Sequence, residues 1–269
     1  MLEGTVYTGA VGAETQPVAA VASVMALRRR PGDSPPVILT PTKGYEGRER
    51  HVSDFLQSAH SFLLLLDLDM QHPPDLLERL RAHGQAFVSG LYMKRAYAPV
   101  QHVWFEDDPA FNWPMRPMTR TPPAGALVRL GAAGWGCVLI HRSVFEGVAP
   151  LLKGEPFIIE DDMDVWPYDL EAVLRGEATL RPLRGMKDAV GSDIRFCFFA
   201  RQAGFTLWGD PDARAGHYIN YPLSPGDFIE SAEVSAHVEA QIAQMRAAWR
   251  QHVDALAAVS DAQRVMRAG

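Results

Sequence analysis

With 269 residues, 47% of them hydrophobic and 22% charged, the chain holds enough apolar side chain for one large α/β domain or two small ones, and it lacks the composition of a disordered chain. The formal charge of −6 excludes wholesale coating of nucleic acid by a basic face, though not a local basic groove. An acidic protein that binds a diphosphate has to recruit a cation or place arginines where the anion sits, so metal use fits the composition from the outset.

Residues 5–11 read as a first strand and 17–29 as a helix with Pro17 near its first turn. Residues 37–40 form a short strand. After a loop over 43–47, residues 48–58 read as a helix. The run Ser61 to Leu66 is continuous and apolar, the pattern of a strand buried on both faces. Pro73 and Pro74 open a helix over 75–82, and 86–90 is the next strand. From 99 to 123 the composition turns to Pro, Trp and Met without period, which reads as loops or an irregular hairpin. Residues 126–130 and 136–141 read as strands around a glycine-rich turn. The stretch 150–191, acidic then basic, is expected to contain a mobile loop. A helix over 192–203 and a strand over 206–208 follow. In the tail, Val234, Val238, Ile242, Met245, Trp249, Val253 and Leu256 stand at helical spacing and predict an amphipathic helix, either docked on the main domain or used for a homodimer. The alternation of strand and helix predicts an α/β fold with a mostly parallel central sheet.

Cys137 and Cys197 are the only cysteines. They lie in apolar settings without CxxC or Cys/His spacing, which disfavours structural zinc and favours two buried free thiols over a disulfide. No segment reaches the roughly eighteen apolar residues of a membrane span. The apolar run Val18 to Leu27 has Arg28, Arg29 and Arg30 after it and Glu3 ahead of it, against the order of a secretion signal. A cytoplasmic enzyme is the expectation.

Three pairs of aspartates are separated by one residue: Asp67/Asp69, Asp162/Asp164 and Asp210/Asp212. Only the first ends a buried apolar run, where the ligands of open α/β sheets bind. Two carboxylates there repel each other and lose hydration, and a divalent cation relieves both costs; hard oxygen ligands suit Mg2+ or Mn2+. Capping of the next helix is the competing role, but Pro73-Pro74-Asp75 already supplies that start.

Leu64-Leu65-Leu66-Asp67-Leu68-Asp69-Met70 with Pro73-Pro74-Asp75 resembles the DxD region of GT-A glycosyltransferases, particularly family 2-like enzymes. The resemblance continues through Val88 to Arg95, Gly134 to Ile140, Gly191 to Cys197, and Asp210-Pro211 to Gly216-His217, spanning roughly residues 5–220. It implies a GT-A (Rossmann-like) domain over 1–225, with a donor half of about 1–98 and an acceptor half of about 99–225, before a helical extension over 226–269. It further implies that Asp69 ligates the metal, that Asp67 contacts the nucleotide ribose or reaches the metal through water, and that His217 is a third metal ligand. Asp193 matches the catalytic base, although Ser192 stands where the family has Glu; helix capping is the alternative role for Asp193. Thr8, Gly9 and Ala10 fall where the family holds the nucleotide base, and Arg48 and Lys94 are the basic candidates beside the donor. Gly134 and Trp135 could form the acceptor platform, or Trp135 could pack in the core. Residues 160–187, with Asp161, Asp162, Asp164, Trp166, Arg181, Arg184 and Lys187, read either as an acceptor lid or as a surface insertion.

The function these features imply is an inverting, metal-dependent transfer from a nucleoside-diphosphate sugar, UDP favoured over GDP, to an acceptor hydroxyl. The acceptor class stays open among polysaccharide, protein, small molecule and modified DNA base. Nucleotidyl transfer on a similar fold is one alternative, weakened because Gly9-Ala10-Val11-Gly12-Ala13-Glu14 carries no basic residue. A non-catalytic nucleotide- or sugar-binding module, which would not need Asp193, is the other.

Overall fold

Apolar runs become the strands of one sheet. In the computed structural model, which describes residues 2–94, 102–107, 118–159, 191–218, 222–223 and 236, β1 (Val6–Val11), β2 (Val37–Leu39) and β3 (Phe62–Asp67) lie parallel and adjacent. Helices α1 (Val18–Met25) and α2 (Gly44–Gln57) connect them. A short strand β4 (Met70–Gln71), helix α3 (Leu76–Ala82) and strand β5 (Phe87–Leu91) follow. Then come β6 (Trp104–Glu106), β7 (Val128–Ala133), β8 (Cys137–His141), α4 (Arg142–Leu152), α5 (Ser192–Gln202) and β9 (Leu207–Arg214). Two small strands, β10 (Gly216–Tyr218) and β11 (Pro222–Leu223), complete the described elements.

The eight-stranded sheet has the order β2-β1-β3-β8-β5-β9-β7-β6. Only β7 and β8 run against the others, so the sheet is mostly parallel in direction, with antiparallel pairings where these two strands are inserted. A second sheet pairs β11, β10 and β4. Helices cover both faces, which is why β3 reads as a continuous apolar run instead of an alternating one. Val6, Ala10, Leu64 and Leu66 pack with Val24, Leu76, Leu77 and Leu80 of α1 and α3. Gly9 and Val11, on the opposite pleat, meet His51 and Gly47 of α2. The carboxyl ends of β1, β3 and β5 share one edge of the sheet.

The chain divides into two compact units, Met1–Ile229 and Glu230–Gly269. Of the second unit only Ala236, in a helical conformation, is described, so the amphipathic tail helix lies outside the described residues. Most of 99–123 and all of 160–190 do as well. No helix among the described residues is long and apolar enough to cross a membrane.

Two helices are among the departures from expectation. Helix α2 starts at Gly44, so the residues read as a loop form its first turn. Helix α4 was not expected, because Gly147 and Pro150 interrupt its sequence; its buried side chains Val144, Phe145, Val148 and Leu152 nevertheless keep helical spacing. The Phe205 ring occupies the space where a Gly147 side chain would stand, 2.7 Å from the position a Cβ would take.

The first residue of α4 anchors α2. The Arg142 guanidinium donates to the carbonyls of Phe55, Leu56, Ser58 and His60 at 2.8–3.1 Å, and it lies 4.6 Å from the centre of the Phe55 ring. These carbonyls lie at and just beyond the C-terminal end of α2, where a cation also opposes the negative end of the helix dipole. Replacing Arg142 with Leu should lower unfolding free energy by about 2–4 kcal/mol in urea titrations. Lys should recover less than half of the loss, since an ammonium cannot span that set of acceptors.

Candidate active site

The chain leaves β3 through Asp67, turns at Leu68-Asp69 and enters β4. Five hydrogen bonds fix this turn. Asp67 N–H donates to Gly136 O (3.0 Å), Leu68 N–H to Val11 O (2.8 Å) and Tyr218 N–H to Asp69 O (2.8 Å). The imidazole of His72 donates from Nε2 to Asp67 O (3.3 Å), while His72 N–H donates to Ser23 Oγ on α1 (3.0 Å). His72 is buried, which pushes its imidazole down to about 4 and keeps it neutral against the pull of Asp67 and Asp69.

The two carboxylates of the turn take different partners. Arg48 Nη2 reaches both oxygens of Asp67, at 2.7 and 2.9 Å. Burial alone would disfavour the Arg48 cation; Asp67 and Asp193 outweigh it and hold the guanidinium charged above its ordinary value. Asp69 Oδ2 instead lies 3.2 Å from His217 Nε2, across 148 residues of sequence. The pairing of β10 with β4, Gly216 opposite Gln71 and His217 opposite Met70, makes that contact.

His217 is oriented from behind. Its Nδ1 lies 3.0 Å from the Met93 carbonyl, an acceptor only, so Nδ1 carries a proton. Neutral His217 then presents a bare lone pair at Nε2 to a carboxylate oxygen, and only a cation between them, a proton or a metal, makes that contact favourable. Burial lowers the affinity of His217 for a proton, and the hydrogen bond and charge of Asp69 more than restore it, so the group titrates above its ordinary value.

Tyr92 and Asp193 complete the neighbourhood. The Tyr92 hydroxyl accepts from Gly136 N–H at 2.8 Å, and its ring stands nearly perpendicular to the His217 ring at 5.9 Å. Burial raises its phenol well above the ordinary value, with Asp67 and Asp193 adding to the effect. Asp193 sits in the first turn of α5 and accepts from Ile194 N–H at 2.8 Å. The charges of Asp67 and Asp193 act on both Arg48 and Tyr92, so these four groups share one electrostatic environment.

The sequence-derived candidates therefore separate. Asp69 and His217 come together, and Asp67 comes together with Arg48 in range of Asp193. Asp67 is not grouped with the Asp69–His217 pair as a third ligand, because Arg48 engages both of its oxygens. Among the described residues no group of three or more His, Cys, Asp or Glu side chains is placed to hold a metal ion. Thr8, Gly9 and Ala10 lie in the buried interior of β1. The absent side chain of Gly9 makes room for the His51 ring, 2.5 Å from where a Cβ would stand, and His51 Nε2 meets Ala10 O at 3.2 Å. Trp135 takes a core position. It is fully buried and packs edge-on against Phe196 at 4.7 Å. Gly134 is bare because the Tyr92 hydroxyl would lie 2.5 Å from its Cβ. Lys94 is exposed, next to the Met93 that holds His217.

The remaining aspartate pairs separate too. Asp210 Oδ1 accepts from Asp212 N–H (2.8 Å) and Ala213 N–H (3.3 Å). Its Oδ2 meets His83 Nε2 at 2.8 Å, and Asp212 accepts from Gly125 N–H at 2.7 Å. That pair holds an irregular stretch of backbone in shape. Asp162 and Asp164 lie outside the described residues. Sequence reasoning missed Tyr92 and His72. Each lies beside a motif residue, but no spacing rule marks either one.

No protein-family model matches the chain, and no curated protein does. Solved structures similar to it include A197 from STIV, at 15% identity over 82% of this chain and 91% of that one, with a TM-score of 0.47. They also include GalNAc-T7 with UDP, GalNAc and Mn2+, at 14% identity over 82% of this chain, with a TM-score of 0.45; the match spans only 44% of that longer protein. Neither likeness reaches a TM-score of 0.5, and the side chains at the end of β3 carry the functional reading.

Because the native state raises the proton affinity of His217 above the ordinary 6.5, the Asp69–His217 pair contributes its full stabilisation below that pH. The contribution is lost as pH rises through the folded-state value. In chelator-treated buffer the stability difference between wild type and His217→Asn should therefore shrink from about pH 6 to pH 8, as measured by urea unfolding at each pH.

Proposed function

We propose that the chain is a metal-dependent glycosyltransferase of the GT-A type that moves a sugar from a nucleoside-diphosphate sugar, UDP favoured, to an acceptor hydroxyl. The observation that carries this reading is the Asp69–His217 contact, 3.2 Å long and backed by the Met93 carbonyl. Two ligands at right angles about a cation, each roughly 2.1 Å from it, stand about 3 Å apart. An oxygen and a nitrogen donor of this kind therefore fit Mn2+ or Mg2+ without large movement, with further positions left to diphosphate and water. The metal would neutralise charge on the departing nucleoside diphosphate.

The chain's own residues supply the rest. Arg48 holds Asp67 in a fixed rotamer at the mouth of β3, where Asp67 can take ribose hydroxyls. Asp193 accepts the proton of the acceptor hydroxyl as its oxygen bonds to the anomeric carbon and the bond from that carbon to the diphosphate breaks. Attack opposite the leaving group inverts the anomeric centre. Tyr92 fills the space between the 134–136 turn and His217, keeping water from both.

Asp193→Asn should lower transfer by roughly a hundredfold or more while leaving the affinity for a nucleoside diphosphate within about twofold. A donor screen with Mn2+, reading nucleoside diphosphate release, checks the first effect, and calorimetry checks the second. His217→Ala and Asp69→Asn should each abolish Mn2+ binding by the protein alone. If neither changes it, the proposed metal pair is wrong; release from no common donor would overturn the reaction class.

A further inference from the structure

Helix α1 turns an apolar face to solvent. Its only polar side chain is Ser23, whose hydroxyl points inward, donating to Ala20 O and accepting from His72 N–H. Ala20 and Val24 are buried against the core. The outer face is made of Val18, Ala22, Met25 and Ala26, all exposed and spaced as one helical stripe. Val18 is 83% exposed and Met25 55%; among the described residues, the one other large hydrophobic with comparable exposure is Leu2, at 36%. A helix on an ordinary soluble surface carries polar residues on this face.

Cations follow the stripe at once. Arg28, Arg29 and Arg30 are exposed. Arg30 pairs with Glu78, whereas Arg28 and Arg29 make no ion pair among the described residues. An apolar stripe ending in arginines matches the interface of an anionic bilayer, where shallow apolar groups enter the acyl boundary and cations meet the headgroups. A second copy of the chain fits less well. Eight helical residues extend only about 12 Å, too short for the roughly 800 Å2 per partner of a stable protein interface. The formal charge of −6 does not oppose this docking, because charges farther than about 10 Å from the patch are screened at moderate salt.

We infer that the α1 face, with Arg28 and Arg29, is a peripheral docking surface for anionic lipid. The test is flotation of the full chain with phosphatidylcholine vesicles, with and without phosphatidylglycerol. Binding should require phosphatidylglycerol and weaken as salt rises. Both the Val18→Glu/Met25→Glu and the Arg28→Glu/Arg29→Glu variants should cut it roughly fivefold or more, with unchanged circular dichroism. Absence of flotation, or flotation that either variant leaves intact, would overturn the inference. So would lipid-free self-association that Val18→Glu/Met25→Glu abolishes, which would assign the face to a second copy.

Discussion

Two carboxylates at the end of an apolar strand set the terms for the rest of this molecule. Phe62 to Leu66 are almost wholly buried, and the strand delivers Asp67 and Asp69 to the sheet edge within three residues. The fold brings a different partner to each. Arg48 comes from the helix before the strand, and His217 from a strand near the far end of the described chain. The small sheet of β4, β10 and β11 has little core of its own. Its clearest structural consequence is to hold His217 against Asp69, with Met93 behind it.

Helix α2 mediates between these demands. Its first half presents Arg48 to Asp67, with Asp193 in electrostatic range. The next residue, Glu49, accepts from Ile158 N–H at 2.8 Å, so adjacent positions touch the end of β3 and the segment after α4. Arg195 of α5 holds the same segment through Glu155 and the Pro156 carbonyl. At the other end of α2, Arg142 binds the carbonyls that close the helix. A helix fixed at its terminus by one arginine can aim a second, half-buried arginine with little freedom. That aim matters because Arg48 meets both oxygens of Asp67 at the mouth of β3.

Much of this was legible in the sequence, for physical reasons that differ by element. The run before Asp67 announces a doubly covered strand, and so a ligand-binding edge. His217 was legible only through resemblance, since no local pattern links it to Asp69. The fold of the turn at 134–136 was legible, but its purpose was not. Glycine reports that something approaches closely and does not say what; here it is the Tyr92 hydroxyl, and at Gly9 it is the His51 ring. Both glycines lie against packed side chains. Helix α4 was hidden because Gly147 and Pro150 are breakers by propensity, yet tertiary contacts of Phe145 and Phe205 override them.

The three aspartate pairs carry the most general lesson. Asp210 and Asp212 have the same spacing as Asp67 and Asp69, but backbone N–H groups and the His83 imidazole satisfy them. These partners fix the loop. Asp69 faces Nε2 of His217, whose Nδ1 meets the Met93 carbonyl, so a proton or a metal ion between them completes that contact. The difference between a structural pair and a candidate metal pair therefore lies in the donors around each oxygen, which spacing does not encode.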